Sequence, residues 1–367
     1  MVQCRNAYVY ALVVKRLLII TNIWRNNLMN LLRGINFGGY LSQCKHELEH
    51  YKTFISEDDV KQVAKWGFDH IRLPIDYEVL EDNDANEYAE GVAFVDKMVE
   101  WCKDNNLDVV LDLHKAYGYD FNDAGNAEKN NLFTNEALRQ RFVNLWVRLA
   151  KRYGDCENVA FELLNEVVEE ENAKLWNDLI SETVKAIREF APVRPIIYGG
   201  IQWNSARTLK LLEIPEDKNI IYTFHMYEPL IFTHQKAYWV PNMPMDLDIY
   251  YPETMEYYKK VSKLIGDKGK DVDVSSCEDI GKPFLEEMVK EAVDAANNAG
   301  VRLYCGEFGV IDQAPVEDTL RWFEDIMDVF KKYNIHCAVW SYKQMDFGIS
   351  DEHYAPISDK LIELLTK

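Results

Sequence analysis

The chain has 367 residues, 48% of them hydrophobic and 13% aromatic, enough to bury a large core without requiring a second domain. Its 61 acidic and 41 basic residues leave a formal net charge of -20, with no basic stretch of useful length. That excludes a nucleic-acid binder working through phosphate contacts and disfavours an anionic polysaccharide; a neutral or cationic partner suits it better. The seven cysteines form no C-x-x-C pair, so neither a zinc ribbon nor a redox dithiol is written here.

Residues 1–30 differ from the rest. They carry Arg5, Lys15, Arg16 and Arg25 but no acid, the first acidic residue being Glu47. The apolar run from Tyr8 to Trp24 is broken by Lys15 and Arg16, which argues against a membrane span, and no small-x-small cleavage site follows it. We read 1–30 as an extension ahead of a domain over 31–367. Secretion and a cytoplasmic location both stay open.

From residue 31 onward a rhythm sets in: a short apolar run, a polar loop, then an amphipathic helical pattern. The first run, 31–39, is followed by SEDDVKQVAKWG, where Ser56 is a natural N-cap and the acids after it face the positive end of the helix dipole. The second run, 70–75, leads to a predicted helix over 88–106; the third, 108–114, leads to one over 135–154. Runs over 159–166, 195–200, 220–227, 302–308 and 336–343 complete the set, with helical patterns over 316–334 and 357–367 near the end. Eight strands joined by helical crossovers must pair in parallel. The first strand lacks the G-x-G-x-x-G of a dinucleotide-binding sheet. Polar residues collect at or near the C-terminal ends of the runs: Arg72, His114, Asn165, Glu166, His225, Tyr227, Glu307 and Trp340. A (β/α)8 TIM barrel builds its site on that face. The expected fold is therefore a single such barrel.

Between strands 6 and 7, residues 228–282 exceed an ordinary loop and are rich in rings: Tyr238, Trp239, Tyr250, Tyr251, Tyr257 and Tyr258. They suit either a cleft wall with ring faces for sugars or a small layer packed on itself. Around Lys268 and Lys270 the segment reads as solvated surface.

Two glutamates at the ends of strands 4 and 7, Glu166 and Glu307, suit hydrolysis of a glycosidic bond with retention, which needs two carboxyl groups about 5 Å apart. Asp112, Asp76, Asp120 and Glu228 are the competing acids. Glu162 shares strand parity with Glu166 and reads as a structural acid inside the barrel, with Arg72 as its natural counter-charge. His114 as a metal ligand is disfavoured, because strand 1 offers only Asn36 where such barrels carry a His-x-His pair. Trp203, after strand 5, is a candidate sugar platform.

The pieces LRGINFGGYL (32–41), IRLPI (71–75), LDLHKAYG (111–118), FELLNE (161–166), FHMYEP (224–229), GEFG (306–309) and VWSY (339–342) together resemble glycoside hydrolase family 5 (cellulase family A), over about residues 31–350. The wording around HKAYGYDF and WSYKQMDFGI is similar to its bacterial endo-acting cellulases. The resemblance implies Glu166 as acid/base and Glu307 as nucleophile. It further implies Asn165 on the sugar 2-hydroxyl, Arg72 and Tyr227 holding Glu307 ionised, His114 and His225 lining the same subsite, and Trp340 as its stacking floor. No metal or cofactor is implied. The expected activity is a retaining endo-β-1,4-glucanase acting on β-glucan polysaccharide or oligosaccharide, with no nucleic-acid or membrane partner. A β-mannanase or xylanase of the same family, or a non-catalytic carbohydrate-binding barrel, stays open. Three positions depart from the family pattern: Val167 follows the acid where proline is common, the strand 3 loop lacks its proline near Tyr117, and Tyr40 stands where tryptophan is usual.

Overall fold

Asp59 accepts hydrogen bonds from the backbone N–H (2.7 Å) and the hydroxyl (2.8 Å) of Ser56. This closes the start of the helix Glu57–Trp66, whose end is marked by Gly67 at φ 98°. The other predicted helices appear as Ala89–Asp104, Glu136–Tyr153, Val316–Tyr333 and Ser358–Thr366. These elements come from a computed structural model that describes residues 29–367, of which Leu31–Lys367 form one compact unit. What the sequence suggests for residues 1–28 lies outside the described residues. No described helix is long and apolar enough to cross a membrane.

Eight parallel strands close into a barrel in chain order, with strand 8 returning to strand 1. They are Arg33–Asn36, His70–Asp76, Asp108–Lys115, Val159–Glu162, Ile196–Gly199, Ile220–Met226, Arg302–Phe308 and His336–Val339. The TIM barrel expected from the rhythm of apolar runs is the fold observed. Two details differ. The crossover after strand 5 carries only a six-residue 3-10 helix, Ala206–Leu211. The crossover helix after strand 6 is delayed to Lys282–Ala299 by the insertion.

The outer helices are tied to the strand ends as well as packed on them. The indole of Trp146 donates to the Leu163 carbonyl (3.1 Å), and that of Trp176 to the Gly199 carbonyl (2.9 Å). Both rings are fully buried. Such a side chain contributes apolar area and also satisfies a carbonyl just where strand 4 or 5 runs out. Truncating either to alanine would cost about 3–5 kcal/mol.

The insertion, residues 228–281, buries Ile249, Tyr251, Met255, Tyr258, Val261, Ile265, Val272 and Ile280 in a lobe continuous with the main core. Around it lie the helix Met255–Ser262, the 3-10 turns of Lys263–Gly269, the short helix Lys270–Val274, and a two-stranded ribbon pairing Glu253–Thr254 with Asp279–Ile280. Tyr251 and Tyr258 are therefore core residues. Tyr238, Trp239 and Tyr250 stay exposed. The layer packs partly on itself, and three of its rings stay on the surface.

Candidate active site

Arg72 is the hub of the barrel mouth. It is the third residue of strand 2, so it sits deeper than the strand end where the sequence put it, and its long side chain climbs to the site. The fully buried guanidinium donates through Nε to Glu162 (2.7 Å) and through Nη1 to Asn36 (3.0 Å) and Glu307 (2.8 Å). Nη2 donates to Glu162 (3.0 Å) and Asn165 (2.9 Å), and Asp112 lies 3.0 Å from the same nitrogen. Five strands or strand ends thus converge on one cation. Burial works against that charge, but Asp112, Glu162 and Glu307 together hold its pKa well above the usual arginine value. The counter-charge to Glu162 and the grip on Glu307 are functions of the same side chain.

Glu307 lies within strand 7, opposite His225 of strand 6 across a register shift. Besides Arg72, it accepts from the Tyr227 hydroxyl (3.1 Å). Gly306 before it leaves room for this crowd, since a Cβ there would approach the Thr223 hydroxyl to 2.8 Å. Glu166 is held differently. Strand 4 ends at Glu162, and the backbone at Glu166 turns to φ 40°, a conformation rare for a residue with a side chain. The turn is pinned on both sides: Asn165 N–H donates to the Leu113 carbonyl (3.0 Å), and Tyr119 donates to the Glu166 carbonyl (3.1 Å). Trp203 N–H adds a bond to the Val167 carbonyl (3.2 Å). Strain of this kind persists only where surrounding bonds hold it, and it gathers at functional sites.

Among the described residues, the Glu166 side chain pairs with no arginine. Its Oε1 lies 2.8 Å from His225 Nδ1. Burial pushes its pKa up to about 7, against the downward pull of His114, Arg72 and Lys268. Burial also brings His225 down to about 4, so that the imidazole is neutral near pH 7. Carboxylate oxygens of Glu166 and Glu307 lie within 4.8 Å of each other. One carboxyl therefore holds a guanidinium and the other holds a proton up to about neutral pH.

His114 Nδ1 lies 2.7 Å from Asp112, and its ring stacks parallel to Trp340 at 6.0 Å. Trp340 follows strand 8 directly and is nearly covered. Gly38 makes room for its indole, since a Cβ there would come within 2.8 Å of the ring. Among the described residues, His114 Nε2 and Asn165 Nδ2 are buried without a hydrogen-bond partner. Both belong to residues facing the carboxyl pair, so a polyhydroxy ligand is the natural source of their missing bonds. Trp203 is 41% exposed and sits in a turn of three left-handed residues, Gln202, Trp203 and Asn204. The structure thus gathers Arg72, His114, Asn165, Glu166, His225, Tyr227, Glu307 and Trp340 at one mouth, with Trp203 at its edge. Tyr40 is fully buried, so its ring packs in the core.

Three contributors were not singled out from the sequence. Asn204 meets His225 Nε2 at 3.3 Å, and its carbonyl accepts from His225 N–H (2.9 Å), orienting that ring from behind. Asp112 steadies both Arg72 and His114. Lys268, from the insertion, stacks on Trp203. Only Asp112 carried a sequence signal, as an acid near the end of strand 3.

Among the described residues, two groups have metal-ligand spacing. In Glu166, His225 and Glu307 an ion would sit beside the Arg72 guanidinium, which opposes it. In His46, Asp76 and Glu78, burial would lower the His46 pKa, but the hydrogen bond and charge of Asp76 raise it to about 10, leaving a protonated ring with no lone pair for a metal.

Paired carboxyls at this separation, on the C-terminal face of a (β/α)8 barrel, define a glycoside hydrolase. The family model described as cellulase (glycosyl hydrolase family 5) matches residues 34–346, and the chain belongs to that family. Endoglucanase C of Acetivibrio thermocellus is 41% identical over 91% of this chain and 97% of its own length. Cellodextrinase A of Ruminococcus flavefaciens is 40% identical over 83% of each. Among solved structures, Thermotoga maritima Cel5A in complex with cellobiose superposes with a TM-score of 0.74 at 24% identity, covering 93% of this chain and 98% of that one, a likeness of fold.

Proposed function

We propose that the chain is a retaining endo-β-1,4-glucanase in which Glu307 is the nucleophile and Glu166 the acid/base. The observation that carries this is the asymmetry of the pair: carboxyls within 4.8 Å, only one of them on a guanidinium. Inverting enzymes need about 6.5–9.5 Å to admit a water between substrate and base, so the short separation supports retention. In the first step Glu307 attacks the anomeric carbon while Glu166 gives its proton to the departing oxygen. The covalent ester removes the charge of Glu307, the pKa of Glu166 falls, and Glu166 then takes a proton from the water that releases the sugar. Asn165 Nδ2 would donate to the 2-hydroxyl, a bond that strengthens as charge develops at the ring. Trp340 and His114 would floor and flank the same subsite. The names of the relatives support β-1,4-glucan as substrate.

The test is reducing-sugar release from carboxymethyl cellulose by the wild type and by Glu307→Gln. The variant should lose at least about 10³-fold, over ~4 kcal/mol on the barrier. Equal activity in both would remove Glu307 from the chemistry. If both were inert on cellulose while the wild type cleaved mannan or xylan, the substrate assignment would move and the pair would stand.

A further inference from the structure

The insertion grips the strand 5 loop, which is bonded beside Glu166, through two side chains. The Lys268 ammonium stands 4.1 Å from the centroid of the Trp203 ring. One turn further along, Asp271 pairs with Arg207 at 2.5 Å. Residues 268 and 271 of the insertion thus grip residues 203 and 207 of the strand 5 loop. That loop is bonded to the site at three points: Trp203 N–H to the Val167 carbonyl, Gln202 N–H to the Val168 carbonyl, and the Asn204 side chain to His225. Val167 directly follows Glu166, and His225 holds its carboxyl. Whatever Trp203 positions is therefore registered against Glu166.

Lys268 has no carboxylate within ion-pairing distance among the described residues, whereas neighbouring Lys270 pairs with Asp267 at 2.8 Å. In a chain with 61 acids, a cation given a ring face in place of a carboxylate keeps its field available to other groups. Lys268 and Glu166 each feel the other's charge.

We propose that Lys268, seated on Trp203, is a positioning residue for the proton donor Glu166, the insertion's own contribution to the reaction. A cation here favours the carboxylate form of Glu166, the form required when it activates water. It does so from solvent-facing chain, so the insertion adjusts an upper pH limit that burial of Glu166 sets. This rests on the reading of Glu166 as acid/base. The groups that face Glu166 from the barrel are Arg72, Asp112, His114 and Tyr119 on one side and His225, Tyr227 and Glu307 on the other. Lys268 itself faces Glu166 and His234.

The experiment is the pH profile of kcat/KM on a soluble β-1,4-glucan oligosaccharide for the full chain, Lys268→Met, Lys268→Gln and Lys268→Arg. Both neutral variants should carry the alkaline limb upward by about half a pH unit, as one partly solvated charge would. Lys268→Arg, which keeps charge and stacking, should stay at the wild-type position. A neutral variant that loses rate while its limb stays in place would make Lys268 a mere prop for Trp203 and overturn the proposal; so would a shift in all three variants. Glu166→Ala serves as the separate control. If its residual activity keeps the wild-type alkaline limb, the assignment of Glu166 is at fault, whatever the lysine variants do.

Discussion

The barrel mouth and the insertion hold themselves together in opposite ways. At the mouth, Arg72 binds partners 36, 90, 93 and 235 residues away. Within the insertion many bonds are short in sequence: Tyr258 to the Tyr250 carbonyl over 8 residues, Lys236 to Asp248 over 12 and Gln235 to Ile249 over 14. Tyr251 ties the layer to the helix Val316–Tyr333 through Asp318 and Asp325. A network closed by distant strands positions two carboxyls rigidly but fails as a unit. A layer bonded largely within itself can vary most of its surface while the carboxyl pair stays fixed. The division suits an enzyme whose bond-breaking groups must stay fixed while its cleft wall adapts to a substrate.

The largest test of that contrast is Arg72→Met. It strands Asp112, Glu162 and Glu307 in the interior without a counter-charge, and breaking such a pair costs about 3–5 kcal/mol. Thermal and urea midpoints should fall accordingly, with sugar release lost. Unchanged midpoints would break the picture of the mouth as one unit.

Next in size, Glu166→Ala should slow cleavage of an unactivated glucan by about 10²–10⁴-fold, the usual worth of a general acid. An aryl glycoside with a good leaving group needs little protonation, so its first step should be far less affected. Equal losses on both substrates would remove Glu166 as proton donor.

The pH dependence follows from the same residue. A pKa raised by burial to about 7 keeps the donor protonated below that pH, and the proton is lost as pH rises through it. The kcat/KM profile should therefore decline on the alkaline side from about neutrality. A flat profile well into alkaline pH would point to another acid.

The smallest effect belongs to the insertion. Tyr258 is buried and its hydroxyl donates to the Tyr250 carbonyl at 2.8 Å. Tyr258→Phe should cost about 1 kcal/mol of stability and leave kcat unchanged. A kcat that fell with it would mean that the layer's interior is coupled to the carboxyl pair, and the two regions would be less separate than drawn.

Strand number, barrel class and the identity of the carboxyl pair were legible in the chain because each rests on local information. Apolar runs of strand length alternate with helical periodicity, and polar residues close the runs. Glu166 and Glu307 were legible as a pair at strand ends, and their roles came from the family resemblance. The depth of Arg72 was not legible, because strand stagger in a closed barrel decides which residue of strand 2 lies level with the ends of strands 4 and 7. Nor was the fate of the insertion's rings. Tyr250 and Tyr251 are adjacent, yet one is exposed and the other buried, and nothing in their immediate sequence separates them.

Lys268 marks the boundary most clearly. In sequence it lies among aspartates and reads as solvated surface, since neighbours along the chain are the only neighbours a sequence displays. Folding sets it on an indole 65 positions upstream, in a loop bonded to Val167 beside the acid. The sequence by itself determined the barrel and which carboxyls stand at its mouth, because strand period and residue type are carried locally. Only the tertiary structure decided which charges they feel, because electrostatic interaction depends on distance through space and on burial, and both exist only once the barrel has closed.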